Sequence, residues 1–245
     1  MKPSITCIIV ISILIICLCA VIPLFGVCWV KPKTYCNTSD RFTREPIVAY
    51  YINLDHRTDR KERMEKEFKG LPLDLRRMPA VLSKVHGGIG CTKSHIKVLE
   101  EAMRLNLPHV LVLEDDVTFK EGVDWSKVLA TLNCIDGNED WDVILLGGNI
   151  SLSGPRGPSY VQICSSQDSH SYIVNRHYYS KLLQNFKTSS RLLEASDLSA
   201  KSYAKFATDQ WWKRLQRKDQ WFCVWPPRIT QISGFSDIDK KMKKS

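Results

Sequence analysis

The run Val110-Leu111-Val112-Leu113 is apolar at every position and closes on Glu114-Asp115-Asp116. A strand with no polar alternation buries both of its faces, which points to a sheet covered by helices on either side. In open sheets of that kind, ligands bind outside the carboxyl ends of the strands. Three consecutive carboxylates at such an edge repel one another unless a cation neutralises them, and hard divalent cations take oxygen ligands. A divalent ion there can hold a diphosphate and neutralise charge as it leaves, which suits transfer from a nucleotide-activated donor. The plainer alternative is a helix cap or a solvated acidic turn.

Other segments share this pattern. Val48 to Leu54 reads as a β-rich strand, followed by Asp55-His-Arg-Thr-Asp-Arg60. Asp59 and Glu62 have the spacing of a capping box, and Met64 and Phe68 form an apolar pair one turn apart on the helix that follows. Asn53, Arg57 and Arg60 therefore stand at a strand's carboxyl end beside a helix start, where arginine forks and backbone N–H groups both favour phosphate. An ordinary solvated turn would have the same composition. Gly88 to His95 opens a helix with Ile96, Leu99 and Met103 on one face. Its glycines, Ser94 and Lys93 suit either a phosphate or a glycine turn capped by Thr92 or Ser94. Asp142 to Gly148 is a buried strand ending in glycines, where backbone can approach a ligand closely. Strand, helix and strand alternate from Ile47 to Val174, so a largely parallel sheet is expected. Ser153 to Ser159, rich in proline and glycine, reads as a connector or a mobile lid.

Taken in order, these segments resemble glycosyltransferase family 25, which includes lipooligosaccharide and collagen galactosyltransferases. The resembling residues are Ile52 to Arg60, Gly90 to His95, Leu113 to Asp116, Trp141 to Gly147, His170 to Tyr172 and Gln231 to Ile238. The stretch from Arg191 to Phe206 matches nothing in the family pattern, and Asp168-Ser169 stands where the family usually has Gly-Thr or similar. The resemblance implies a GT-A-like α/β fold with a mostly parallel sheet, a nucleotide-sugar donor, usually Mn²⁺, and inversion at the anomeric carbon. It implies that Asp116, with Asp115 or Glu114, holds Mn²⁺ bridging the diphosphate, and that Asn53, Arg57, Arg60 and Ser94 hold nucleotide and phosphates. An inverting transfer needs a carboxylate to take the acceptor hydroxyl's proton. The resemblance places an acid at Asp209, beside Trp211 and Trp212, which would seat the acceptor. His170 is a further imidazole candidate for the metal, against the commoner reading of a hydrogen-bonded core histidine.

Between Lys2 and Lys31 there is no charged residue, and Ile5 to Ile22 is almost wholly apolar. That length spans a bilayer, although a cleaved signal peptide ending near Leu18-Cys-Ala20 competes. The expected organisation is a transmembrane anchor over residues 1–30, a stem over 31–46, a catalytic domain over 47–238 and a basic tail over 239–245. Lys31 and Lys33 follow the span, so the positive-inside count does not favour a lumenal domain. Family habit and the sequons Asn37-Thr-Ser39 and Asn149-Ile-Ser151 do, giving a single-pass, type II protein of the secretory pathway or a host-derived membrane. Net charge is +9, which suits a diphosphate or an acidic acceptor, and no nucleic-acid module accompanies it. Cys36, Cys91, Cys134, Cys164 and Cys223 lie beyond the apolar run with no zinc-type spacing. The chain thus reads as a metal-assisted glycosyltransferase that moves a hexose, galactose or glucose, from a UDP-sugar to a glycan or protein hydroxyl. The contrasting reading is an inactive, membrane-tethered descendant that binds a glycan or partner.

Overall fold

The computed structural model describes residues 36–236 and 241–243, apart from the side chains of residues 155, 156, 234–236 and 241–243. The expected anchor, residues 31–35 of the stem, residues 237 and 238 and the side chains of the basic tail lie outside what is described. Among the described residues no helix is long and apolar enough to cross a membrane.

Eight strands form the main sheet: β1 (Ile47–Asn53), β2 (Leu73–Pro79), β3 (His109–Glu114), β5 (Val143–Leu145), β6 (Asn149–Arg156), β7 (Tyr160–Gln167), β8 (Ser171–Asn175) and β9 (Trp221–Val224). Their spatial order is β2-β1-β3-β8-β5-β9-β7-β6. Pairs β1–β2, β1–β3 and β5–β9 are parallel, whereas β3–β8, β5–β8, β7–β9 and β6–β7 are antiparallel. The sheet is α/β but mixed, which corrects the expectation of a mostly parallel one. The reason is connection length. A parallel crossover needs a dozen or more residues, yet between Leu145 and Ser171 only residues 146–148, 157–159 and 168–170 separate successive strands. The Ser153–Ser159 segment belongs to this region. It is the end of β6 and its turn into β7, closed by Gly157 N–H donating to the Tyr160 carbonyl at 2.8 Å, and not a lid.

The unalternating strand β3 does bury both faces, with Val110 through Leu113 all at 0% exposure. Leu111 and Leu113 pack with Ala49 and Tyr51 against α1 (Arg41–Arg44), α2 (Thr58–Glu67) and α4 (Trp125–Asn138), through Phe42, Met64, Val128 and Leu132. Val110 and Val112 face the opposite layer, with Val98, Leu99 and Ala102 of α3 (Gly87–Arg104) and Leu182 and Phe186 of α5 (Tyr179–Glu194). Each β-branched or leucine side chain so enclosed contributes roughly 1.5–3 kcal/mol, so this strand holds its end residue, Glu114, on a firmly packed element. Three short helices, α6 (Ala200–Phe206), α7 (Thr208–Trp211) and α8 (Lys213–Gln216), lead into β9. A small ribbon of β4 (Val117–Phe119) and β10 (Ile229–Gln231) then folds over the carboxyl end of β3.

At the opposite edge the chain is tied down before β1 begins. Cys36 is disulfide-bonded to Cys134 of α4, and Asn133 accepts the Phe42 N–H at 3.0 Å. Cys164 is also disulfide-bonded, while Cys91 and Cys223 are not.

Candidate active site

Strands β1 and β3 run parallel with Ile52 in register with Glu114, so Asn53 and Asp115 emerge side by side at their carboxyl ends. Asn53 Nδ2 donates to Asp115 Oδ2 at 2.8 Å, and Arg60 Nη1 donates to Asp115 Oδ1 at 2.6 Å. Asn53 is itself held, because its Oδ1 accepts from Arg77 Nε at 2.9 Å and its amide also donates to the Arg57 carbonyl at 3.0 Å. Both carboxylate oxygens of Asp115 are therefore engaged, and the residue is 8% exposed. These bonds tie Asp115 to both β1 and α2, and metal ligation by it would share its oxygens with them.

Helix α2 begins after Arg57, which makes no side-chain cap bond, and Asp59 lies inside the first turn. The expected capping box is not formed. Asp59 instead receives the Arg57 fork, at 3.0 Å from Nε and 2.9 Å from Nη2, and these bonds draw its carboxyl down to about 2. Arg60, the third residue of the helix, bridges from Asp115 to Asp116 Oδ2 at 3.3 Å.

Asp116 is held more loosely. Its Oδ1 accepts from Gln231 Nε2 at 3.1 Å, and the same amide lies 3.3 Å from Glu114 Oε2. Burial first, and then the charge of Glu114, push the Asp116 carboxyl up to about 6. Glu114 Oε1 accepts from Ser169 Oγ at 3.1 Å and lies 3.4 Å from His95 Nε2. Burial would raise Glu114, but His95, His170 and the Ser169 hydroxyl outweigh it and hold the carboxyl below its ordinary value.

His170 is buried beside this group. Its Nδ1 is 2.8 Å from the Ser171 hydroxyl, and burial depresses it to about 4, so the ring is a neutral imidazole at neutral pH. Gly147 lies against it. A Cβ there would strike the Ile229 carbonyl and the His170 ring, so this glycine serves protein packing and not the close approach of a ligand.

Asp209, in the first turn of α7, accepts the Asp168 backbone N–H at 3.1 Å. Asp168 has φ 72°, so the turn between β7 and β8 is shaped to aim that N–H at the carboxylate. Burial raises Asp209, and the charge of Glu114 adds to the effect. Glu114 thus acts electrostatically on both Asp116 and Asp209, which draws the proposed base into the same field as the metal candidate. The expected tryptophan platform is different. Trp212 is fully buried against Tyr172 and Trp221 with its Nε1–H on the Ser166 carbonyl, and Trp211 is covered by the Arg214 guanidinium.

Ser94 spends its hydroxyl on the protein's own backbone. It is fully buried, its hydroxyl donating to Gly90 O at 2.7 Å and accepting from Val81 N at 2.8 Å. Helix α3 is capped by His86, whose Nδ1 accepts from Gly88 N at 3.1 Å, and a Cβ at Gly90 would strike the Val81 carbonyl. The glycine-serine motif is thus a clamp on the preceding loop. Sequence reasoning does not single out Gln231, Ser169 or His95 as site residues. All three lie in family-like segments or directly beside one, which is the signal that could have found them.

The chemistry of the donor set suits a hard divalent cation at Asp116. Carboxylate oxygens of Glu114 and Asp116 share a single amide donor, and Asp116 resists ionisation in their company. Positive charge is what would complete such a pair.

Fold and site together define an α/β protein with an acidic cluster at the carboxyl edge of its sheet. Residues 82–140, which include α3, β3 and the triplet, match glycosyltransferase family 25 (LPS biosynthesis protein). Similar proteins include a glycosyltransferase 25 family member of Anopheles gambiae, 35% identical over 40% of this chain and 21% of that protein. Procollagen galactosyltransferase 1-B of Xenopus laevis is 30% identical over the same shares. Over these stretches the chain is similar to glycosyltransferase family 25 proteins, and it spans about a fifth of the length of the curated relatives it matches. Among solved structures, mannose-1-phosphate geranyltransferase from Thermus thermophilus gives a TM-score of 0.45 at 11% identity, covering 76% of each chain.

Proposed function

We propose that this protein is a GT-A-like glycosyltransferase that moves a hexose, galactose by analogy with the relatives' names, from a UDP-sugar to a hydroxyl of a glycan or protein, with inversion. The observation that carries the reading is the Glu114–Gln231–Asp116 arrangement, an under-neutralised carboxylate pair at the carboxyl end of the central strand.

Asp116, with Glu114 beside it, would hold Mn²⁺ or a similar ion, and His170 offers a neutral imidazole nearby. When bound, that ion supplies positive charge to a departing diphosphate. The rest falls to the chain. Asn53 and Arg60 fix Asp115 and so fix the triplet's backbone. The start of α2 with Arg57 presents donors to phosphate oxygens. Asp209 would accept the acceptor hydroxyl's proton, and its burial makes it a better base than an exposed carboxylate. We place the protein in a membrane of the secretory pathway, single-pass and type II. The Cys36–Cys134 bond and the exposed sequon residues Asn37 and Asn149 support an oxidising, glycosylating compartment.

The test is to incubate the full chain in detergent with a panel of UDP-sugars, with Mn²⁺ and with chelator, and to measure released nucleoside diphosphate. Release with one donor, dependent on the ion, is expected. Absence of release together with absence of nucleoside diphosphate binding would overturn the reading and leave a glycan- or partner-binding descendant.

A further inference from the structure

Beside the oxygen-only cluster lies a set of softer donors. Cys91 and His95 are one turn apart on α3, on the face turned to β3, and Glu114 ends that strand. One ligand atom from each lies within 4.8 Å of the others. We infer that Cys91, His95 and Glu114 form a second metal site, built for a borderline divalent cation of the Zn²⁺ class.

His95 gives the main reason. Its ring is fully buried, and Nδ1 is fixed at 2.8 Å from the Tyr172 hydroxyl. Nε2 is also buried and makes no hydrogen bond; Glu114 Oε1 is 3.4 Å away without the geometry of one. An orphaned buried polar atom costs free energy, and this one belongs to a ring that has a carboxylate and a thiol within ligating reach. A ring nitrogen held by a hydrogen bond at its other nitrogen is the usual way a metal-binding histidine is oriented.

Charge points the same way. A thiolate and a carboxylate together balance a divalent ion, so the occupied site would be neutral, which its depth requires. The donor types also sort the two sites. Thiolate and imidazole favour zinc-like ions, whereas the oxygens around Asp116 favour Mn²⁺ or Mg²⁺. Glu114 serves both through different atoms, Oε1 towards His95 and Oε2 towards Gln231. In a tetrahedral zinc site the ligand atoms are roughly 3.5 Å apart, so a modest inward movement of the side chains closes the set. Three protein ligands leave a fourth position for water. The inference goes beyond the transfer reaction and does not depend on it.

Co²⁺ is the probe, because a thiolate-bound ion shows a charge-transfer band that an oxygen-bound ion lacks. Titrating the full chain in detergent should give that band with one equivalent, and Zn²⁺ should abolish it. Cys91→Ser should remove the band, and Tyr172→Phe should keep it while weakening Co²⁺ binding about 10–100-fold. Asp116→Asn should keep it unchanged, which separates this site from the proposed donor site. Should Cys91→Ser fail to fold, protection of Cys91 from alkylation by Zn²⁺ in the unmodified chain, read by peptide mapping, gives the same answer. No band in the unmodified chain, a band that survives in folded Cys91→Ser, or alkylation of Cys91 indifferent to Zn²⁺ would each overturn the site.

Discussion

The acidic edge has two flanks that treat like residues in opposite ways. On the β1–α2 flank, Asp115 has both oxygens bonded, to an asparagine that is itself held by an arginine and to Arg60. On the β10–α7 flank, half-buried Asp116 has a neutral amide at 3.1 Å and only a longer contact, 3.3 Å, to the arginine that Asp115 holds at 2.6 Å. Asp209 accepts a backbone N–H at 3.1 Å, and both carboxyls are pushed up. Neighbouring positions in sequence thus have divergent roles: one carboxylate is spent on holding the site together, and the others keep capacity for a cation or a proton. A carboxylate that already accepts a strong bond at each oxygen has less of its acceptor capacity left for a ligand.

Replacing Asp116 should have the largest effect. Asp116→Asn is expected to lower ion-dependent sugar release by about 10²–10³-fold, the usual cost of removing a major electrostatic contribution. Its effect on stability should run the other way. Because the folded protein raises this carboxyl to about 6, its stabilising contribution is complete below about pH 4 and is lost as pH rises through 6. Thermal melts should therefore show the Asn variant equal to or more stable than the parent at about pH 7.5, by up to ~3 kcal/mol, and no advantage at about pH 4. A destabilised variant at neutral pH would make both flanks structural.

Arg60→Ala should reverse that pattern. It removes the partner of a carboxylate whose side chain is 11% exposed, and leaving such a charge unpaired costs about 3 kcal/mol. Denaturant unfolding would show the loss. Full stability would mean that Asp115 is less firmly held than its bonds imply.

Asp209→Asn comes next. Transfer to acceptor should fall about 10²-fold, while nucleoside diphosphate affinity is kept, since only the proton acceptor is lost. Rates and binding on one preparation decide the matter. Unchanged transfer removes Asp209 from the mechanism, and loss of both moves it into the donor site.

The smallest effect is expected at Ser94. Ser94→Ala leaves the Val81 N–H without its partner and should cost about 1–2 kcal/mol in a melt, with nucleoside diphosphate affinity unaltered. Weakened diphosphate binding in a fully stable variant would return Ser94 to the site.

Much of the loose flank and the core is legible in sequence. Four apolar residues closed by three acids place a doubly buried strand and its charged end without reference to anything distant. Segments around Asn53 and Arg60 are legible as a strand end and a helix start for the same local reason. What cannot be read is pairing across the chain. Nothing near Asp115 in sequence says that Arg60 and Asn53 will consume its oxygens, nor that Gln231 will reach back to Asp116 and Glu114. Ser94 misleads because a hydroxyl at a glycine-rich helix start suits a phosphate and a loop N–H equally well; only the position of Val81 decides. The antiparallel pairing of β6 with β7, and of β8 with β3 and β5, escapes notice because an apolar strand reads alike in either direction.

The bond from Cys36 to Cys134 has a mechanical meaning. It joins the chain to the end of α4 that leads into β5, at the sheet edge from which β1 and β3 start, opposite the edge where Glu114 emerges. A pull exerted through the residues before Cys36 is therefore taken up by α4 and its packed layer before it reaches β1. The protein can be tethered, dragged or crowded at one pole while the carboxylates at the other keep their spacing.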